Sequence, residues 1–422
     1  MIRKNLCFNV TRCNLEEINS KKEEENMKVK KSIALVMLIM MVLSIIMYSI
    51  PYIAKSSSNN IGIKKPVKLS IIDVAGSTQL VGDAISAFKK KYNKYILDIE
   101  IVKAPAPELV SKIKAQQMAG NLQTTMVLTG YDGLGSGMES GIWEQLLPQY
   151  KNKFLQIEKK YSEGALQALN VAKGYGLPVA FCPGGPMLTY NPQKVKEVLD
   201  TPEKLLEWAK KHPGKFIYAR PSNSGPGRAF LQGLPYLLGD KNPKEPKTWT
   251  KTWKYLKELD KYIDYYPTGT AITFKELAEG TRWVVASHLG WDMNQRILGV
   301  IPSSFKGSFF KNMTWITDTH FMCMPKGLDN DRKNATLLLM QWLLQPEQQV
   351  LTYDSGYFYP GPAIKNVSLS LAPAEIQKRI KEAMRDEYEK AIQQYPKTPQ
   401  LDPQKLVEAF DMWDRLIGAK VK

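Results

Sequence analysis

Residues 67–102 read VKLSIIDVAGSTQLVGDAISAFKKKYNKYILDIEIV, and this stretch decides the fold. It opens on a β-rich run, VKLSIIDV, crosses the short loop AGST and enters a segment whose apolar residues recur at helical spacing. It then returns to a second β-rich run, YILDIEIV. Strand, helix of a dozen residues and strand again predict a right-handed βαβ unit with parallel strands. The pattern continues outward. PELVSKIKAQQMAG predicts a helix stopped by Gly120, and TMVLTG a third strand.

A second α/β set begins after Pro192. TPEKLLEWAKKHPGK carries Thr201 as N-cap, Pro202 at the first helical position and Gly214 as a stop. FIYAR predicts a strand, followed by the turn PSNSGPGR and an apolar helix. TFKELAEG carries the spacing of a capping box at Thr273 and Glu276, RWVVAS predicts a strand, and GWDMNQRILG follows it. Amphipathic helices are expected around 373–394 and 403–417. Two α/β lobes in one chain need crossings. The extended runs GLPVAFCPGGPMLTYNP (176–192) and TDTHFMCMPKG (317–327) are the candidates, with crossings near 180–190 and 317–325. Lobe 1 is then residues 66–180 plus 320–422, and lobe 2 residues 187–317.

The start of the chain places these lobes. Residues 33–54 carry no charge over 22 positions and follow Lys28, Lys30 and Lys31. A basic flank before an apolar run is an export signal, and about 20 residues suffice to span a bilayer, so cleaved signal and retained anchor both remain open. Residues 1–26 form a polar extension, Met27 is the expected true start, and 55–65 is a flexible tether. The expected location is periplasmic or otherwise extracytoplasmic. No cysteine directly follows the apolar run, so no lipid-attachment site is offered.

The formal charge is +17, of which the first 31 residues account for +3. The lysines are dispersed, without an arginine-rich or aromatic-basic run, which argues against a nucleic-acid partner. Four cysteines occur, none in a C-x-x-C pair, which argues against a zinc site. Cys182 and Cys323 are either buried small apolar residues or a disulfide. The motifs H-E-x-x-H, G-x-S-x-G and G-x-x-x-x-G-K-[ST] are all absent. With histidines only at 212, 288 and 320, the expectation is a binding protein rather than an enzyme, with no cofactor and no metal.

Open α/β sheets bind ligands beyond the carboxyl ends of their strands, which selects three loops in lobe 1 and two in lobe 2, four of them carrying candidate residues. After the first strand, Gly76 allows close approach, and Ser77 or Thr78 supplies a hydroxyl or a helix cap. After the third, Thr129, Tyr131 and Asp132 supply a hydroxyl, an aromatic face and a charge. In lobe 2, Ser222, Asn223 and Ser224 precede a helix whose N–H groups Gly227 leaves uncovered and to which Arg228 adds a forked donor. A helix N-terminus carries about half a positive charge and favours anions. In the last loop, Trp291 and Asp292 are either a stacking face with a cation partner or a core tryptophan with a helix-starting acid.

At these residues the chain resembles the bacterial extracellular solute-binding proteins of family 1, over about residues 66–417. The resemblance rests on KAQQMAGNLQTTMVLTGYDGL, YARPSNSGPGRAFLQGLPYLLGDK, YYPTGTAITFKELAEGT and PEQQVLTYDSGYFYPGPA taken together. It implies a type II periplasmic-binding fold and a monomer that captures a small solute between its lobes. It also implies delivery to the membrane permease of an ABC importer. A small organic anion or zwitterion is the expected solute. A polyamine-like cation, a metal held by tyrosines such as Tyr353, Tyr357 and Tyr359, and a membrane-tethered interaction protein are the alternatives. The tyrosine segment is expected near the hinge, because Pro360 and Pro362 fix its course.

Overall fold

The structure is a computed structural model that describes residues 61–104 and 106–422. The expected signal or anchor at 33–54, the polar extension and most of the tether lie outside the described residues. Among the described residues no helix is long and apolar enough to cross a membrane.

Strands β1 (Val67–Asp73), β2 (Ile96–Lys103) and β3 (Met126–Thr129) pair in parallel, β1 at the centre. The apolar face of the intervening helix, Leu80, Val81, Ala84, Ile85 and Phe88, is buried. Strand β4 (Leu177–Gly185) runs without a charged residue and is buried at every position, as expected of a strand covered on both faces. After it come β5 (Met187–Tyr190), β6 (Phe216–Ile217), β7 (Val284–Ser287), β8 (Lys306–Phe309), β9 (Trp315–Cys323), β10 (Gly361–Pro362) and β11 (Lys397–Thr398).

These strands form two sheets. One is seven-stranded, in the order β10-β4-β9-β3-β1-β2, with β11 beside β9. The other is four-stranded, in the order β6-β7-β5-β8. The chain passes from the first sheet to the second at Pro186 and returns over residues 310–314. The return lies a few residues before the expected 317–325, because Ile316 through Met322 already pair with β4.

The expectation that residues 320–422 belong wholly to lobe 1 is corrected. The Ala374–Ala383 helix packs on the Leu289–Ile297 helix of lobe 2. Trp413 is fully buried between Tyr218 and Tyr266, with ring centroids 6.1 and 5.0 Å away, and donates its indole N–H to Tyr218 Oη at 3.0 Å. Lys420 donates to the carbonyls of Asp260 and Ile263. The Pro403–Leu416 helix nevertheless also touches lobe 1: a Cβ on Gly135 would meet Pro403 at 2.5 Å. Large aromatic area buried against lobe 2 outweighs proximity in sequence to β9. The helix expected at 373–394 is broken at Met384 and Arg385 into two.

Two caps differ in outcome. Thr201 accepts from Lys204 N as the N-cap spacing predicts. Thr273 instead lies inside a helix that starts at Thr270, and its expected partner Glu276 pairs with Arg282.

Candidate functional site

A cavity of about 690 Å³ is lined from both lobes and from the C-terminal helix. Tyr131, Asp132, Ser222, Asn223, Arg228 and Trp291 of the expected set line it. The other expected residues do not, and each has a physical reason.

The first loop is satisfied by its own strand. The Asp73 carboxylate accepts from Ser77 N and Thr78 N, each at 2.9 Å, and from Thr78 Oγ1. Ser77, which makes no side-chain cap, is fully buried and lies behind the wall with its Oγ 2.9 Å from His320 Nδ1. Gly76, at φ +74°, faces a separate shallow depression beside Lys103. Thr129 is fully buried, with no hydrogen-bond partner for its hydroxyl.

In the second lobe Ser224 caps the Gly225–Leu238 helix. Its Oγ accepts from Gly227 N at 3.0 Å and lies 2.7 Å from Thr270 Oγ1. Gly227 is required by packing rather than by access for a ligand: a Cβ there would stand 2.2 Å from the Ala219 carbonyl oxygen. Asp292 is removed from the candidate set altogether. It is fully buried and accepts from Arg296 Nε at 2.7 Å, Arg296 Nη2 at 2.8 Å, Thr189 Oγ1 at 2.7 Å and the Tyr388 hydroxyl. Helix periodicity explains the split. Trp291 and Asp292 are adjacent, about 100° apart on a helix, so one faces the cavity and the other the core.

Several lining residues were not selected from the sequence as ligand contacts. His288 and His320, considered there only for catalysis, both line the cavity. His288 caps the Leu289–Ile297 helix by accepting from Trp291 N. Burial pushes its pKa down to about 3, with the Arg228 charge adding to the fall. Burial likewise holds His320 down at about 4, against the pull of Asp73 and Asp132. Both rings are therefore neutral at physiological pH. Asp318, on β9, is pushed up to about 6 by burial, opposed first by Arg228. Its Oδ1 accepts from Gln400 Nε2 at 2.9 Å. Tyr357 lines the cavity edge-on to Trp291 at 5.7 Å, so one residue of the tyrosine segment reaches the site. Trp291 in turn stacks on Phe274.

Arg228 is the residue on which the chemistry turns. It is 8% exposed, and its Nε and Nη1 are buried without a hydrogen-bond partner. Arg220, by contrast, is tied to Asp414 through bonds of 3.0 and 2.5 Å. Asp132, Asp318 and Asp411 complete the charged lining. Among the described residues no group of three or more His, Cys, Asp or Glu is placed to hold a metal ion. Cys182 and Cys323 are buried free thiols, their pKa values raised by burial, Cys182 to about 12.

Residues 83–383 match the family model described as bacterial extracellular solute-binding protein. Protein YnjB of Escherichia coli (strain K12) is 24% identical over 288 residues, 62% of this chain and 70% of that protein. An ABC transporter structure from Clostridium perfringens ATCC 13124 superposes with TM-score 0.60 at 14% identity, covering 84% of this chain and all of that one. The periplasmic binding protein AfuA from Actinobacillus pleuropneumoniae, with fructose-6-phosphate bound, superposes with TM-score 0.58 at 15% identity, covering 83% and 99%. The two-sheet α/β architecture with a cavity lined from both lobes is the fold of the periplasmic binding proteins. With the family model spanning more than half of it, the chain belongs to the bacterial extracellular solute-binding proteins.

Proposed function

We propose that this chain is the extracytoplasmic capture component of an ABC importer and that its solute is a small zwitterion held between the two lobes. The observation that carries the reading is Arg228. A buried guanidinium with two unpartnered nitrogens calls for an anionic group, because an unsatisfied charged donor is costly. A simple anion answers that need but leaves Asp132, Asp318 and Asp411 facing it. A solute with a cationic group as well answers both. Neutral His288 and His320 add polar contacts without adding charge. Trp291 and Tyr357 offer aromatic faces to the body of the solute. Closure of the lobes over the ligand is the motion that the two-sheet architecture allows.

The acidic excess of the lining also favours a second reading, a polyamine-like cation, which leaves Arg228 unanswered. Calorimetric titration separates them. The expected outcome is binding of ω-aminocarboxylates, from γ-aminobutyrate to ε-aminohexanoate, with weaker but measurable binding of the matched carboxylates and weak or no binding of putrescine. Binding of putrescine alone overturns the zwitterion in favour of the cation. Binding of the carboxylates as tightly as the aminocarboxylates overturns it in favour of an anion.

A further inference from the structure

The Pro403–Leu416 helix presents one face to the cavity. Pro403, Leu406, Val407, Phe410, Asp411 and Asp414 line it, at the three- and four-residue spacing of a single helical stripe. The stripe is apolar for two turns and then acidic. Its acids are not equivalent. Asp402 pairs with Lys173, Glu408 with Lys247 and Lys405, and Asp414 with Arg220. Asp411 has no ion pair and no side-chain hydrogen bond among the described residues, and it is exposed at the cavity rim. The helix that carries it is fixed. Trp413 anchors it in lobe 2, Pro403 rests on Gly135 of lobe 1, and Lys173, beyond the helix start, holds Asp402.

We infer that this helix is a third wall of the solute site and that Asp411 reads the cationic end of the solute. This rests on the zwitterion reading above. The anionic group goes to Arg228 in the wall, an apolar spacer lies along Leu406, Val407 and Phe410, and the ammonium group meets Asp411. An apolar stretch between two charge-binding ends selects for the distance between the charges, so the preferred solute is an α,ω-aminocarboxylate rather than a compact α-amino acid. The carboxylate stands unpaired on a helix whose other acids are all neutralised, and it faces the same cavity as the unpaired guanidinium.

The test titrates the full chain and its Asp411→Asn and Arg228→Ala variants with γ-aminobutyrate, δ-aminopentanoate and ε-aminohexanoate, and with butyrate, pentanoate and hexanoate. Asp411→Asn is expected to weaken the best aminocarboxylate about 10-fold or more while leaving the matched carboxylate unchanged. Arg228→Ala is expected to weaken both. A structural role for Asp411 would move the two ligand series together, which overturns the inference. If Asp411→Asn binds the aminocarboxylate like wild type while Arg228→Ala loses it, the zwitterion reading stands and the role of Asp411 falls. If wild type binds none of the aminocarboxylates, the zwitterion reading falls and this inference with it. Unchanged thermal melting of Asp411→Asn, expected of an exposed unpaired side chain, keeps the comparison clean.

Discussion

Arg228 and Arg296 both lie on lobe 2 helices with buried side chains, and they behave as opposites. Arg296 is clamped by Asp292 through two bonds and donates a third, from Nη1 to the Phe305 carbonyl at 2.6 Å. The Asp292 partnership raises its pKa against the opposing cost of burial. Arg228 has the same chemistry, but two of its nitrogens are left without a partner and it sits in a cavity wall. The pair shows how a fold separates structure from recognition. A charge whose bonds are completed within the chain holds elements together, and a charge whose bonds are left incomplete is available to a solute.

Removing the clamped arginine has the largest expected effect. Arg296→Ala should cost about 3–5 kcal/mol of stability, since it strands a fully buried carboxylate. Urea denaturation reads it, and a loss below about 1 kcal/mol would remove the contrast.

The carboxylate beside Arg228 provides the next test. A raised pKa in the folded state means that ionising Asp318 costs stability. The penalty is absent below its ordinary value near 3.8 and complete above about 6. Asp318→Asn should therefore gain on wild type as pH rises through this window, by at most about 3 kcal/mol, and match it at lower pH. Melting curves across pH 4–8 check this, and a gap that does not grow with pH refutes it.

Arg228→Ala should show the reverse profile of Arg296→Ala. Stability should fall by less than in Arg296→Ala, because Arg228 Nε and Nη1 make no hydrogen bond within the chain and only the guanidinium charge acts on Asp318, while affinity for an anionic group falls by about 10–100-fold. A stability loss as large as that of Arg296→Ala would make the two arginines alike. The smallest effect belongs to the cap that starts the Arg228 helix. Ser224→Ala should cost about 1 kcal/mol in denaturant titration, and affinity should fall only as far as the helix start shifts. An effect on affinity equal to that of Arg228→Ala would place the hydroxyl in direct contact with solute.

Much of the architecture was legible from local pattern. β-rich runs and period-3.6 apolar spacing located the strands and helices around the first sheet, and the cap spacing at Thr201 and the turn before the Arg228 helix were readable from residue type alone. The rule that ligands gather beyond strand ends selected loops that reach the cavity with Tyr131, Asp132, Ser222, Asn223, Arg228 and Trp291. It failed where neighbours in sequence part company in space. Asp292 follows Trp291 yet turns to the core, and Asp73, the last residue of β1, satisfies the first loop so that its hydroxyls are not offered outward.

Local physics is written in the order of the residues. The parallel α/β units, the two sets of them and the arginine at the start of a capped helix all follow from side-chain periodicity, turn chemistry and backbone donors within a few residues. Which charges are completed depends instead on long-range packing. Asp318 and His320 belong to a strand that pairs with residues about 140 positions away, where Ala180 stands opposite His320 and Cys182 opposite Asp318. The Pro403–Leu416 helix joins the cavity because Trp413 finds Tyr218 and Tyr266 across the molecule. Whether a buried charge has a partner depends on such long-range contacts, set by the packing of the whole core, and no window of sequence contains them.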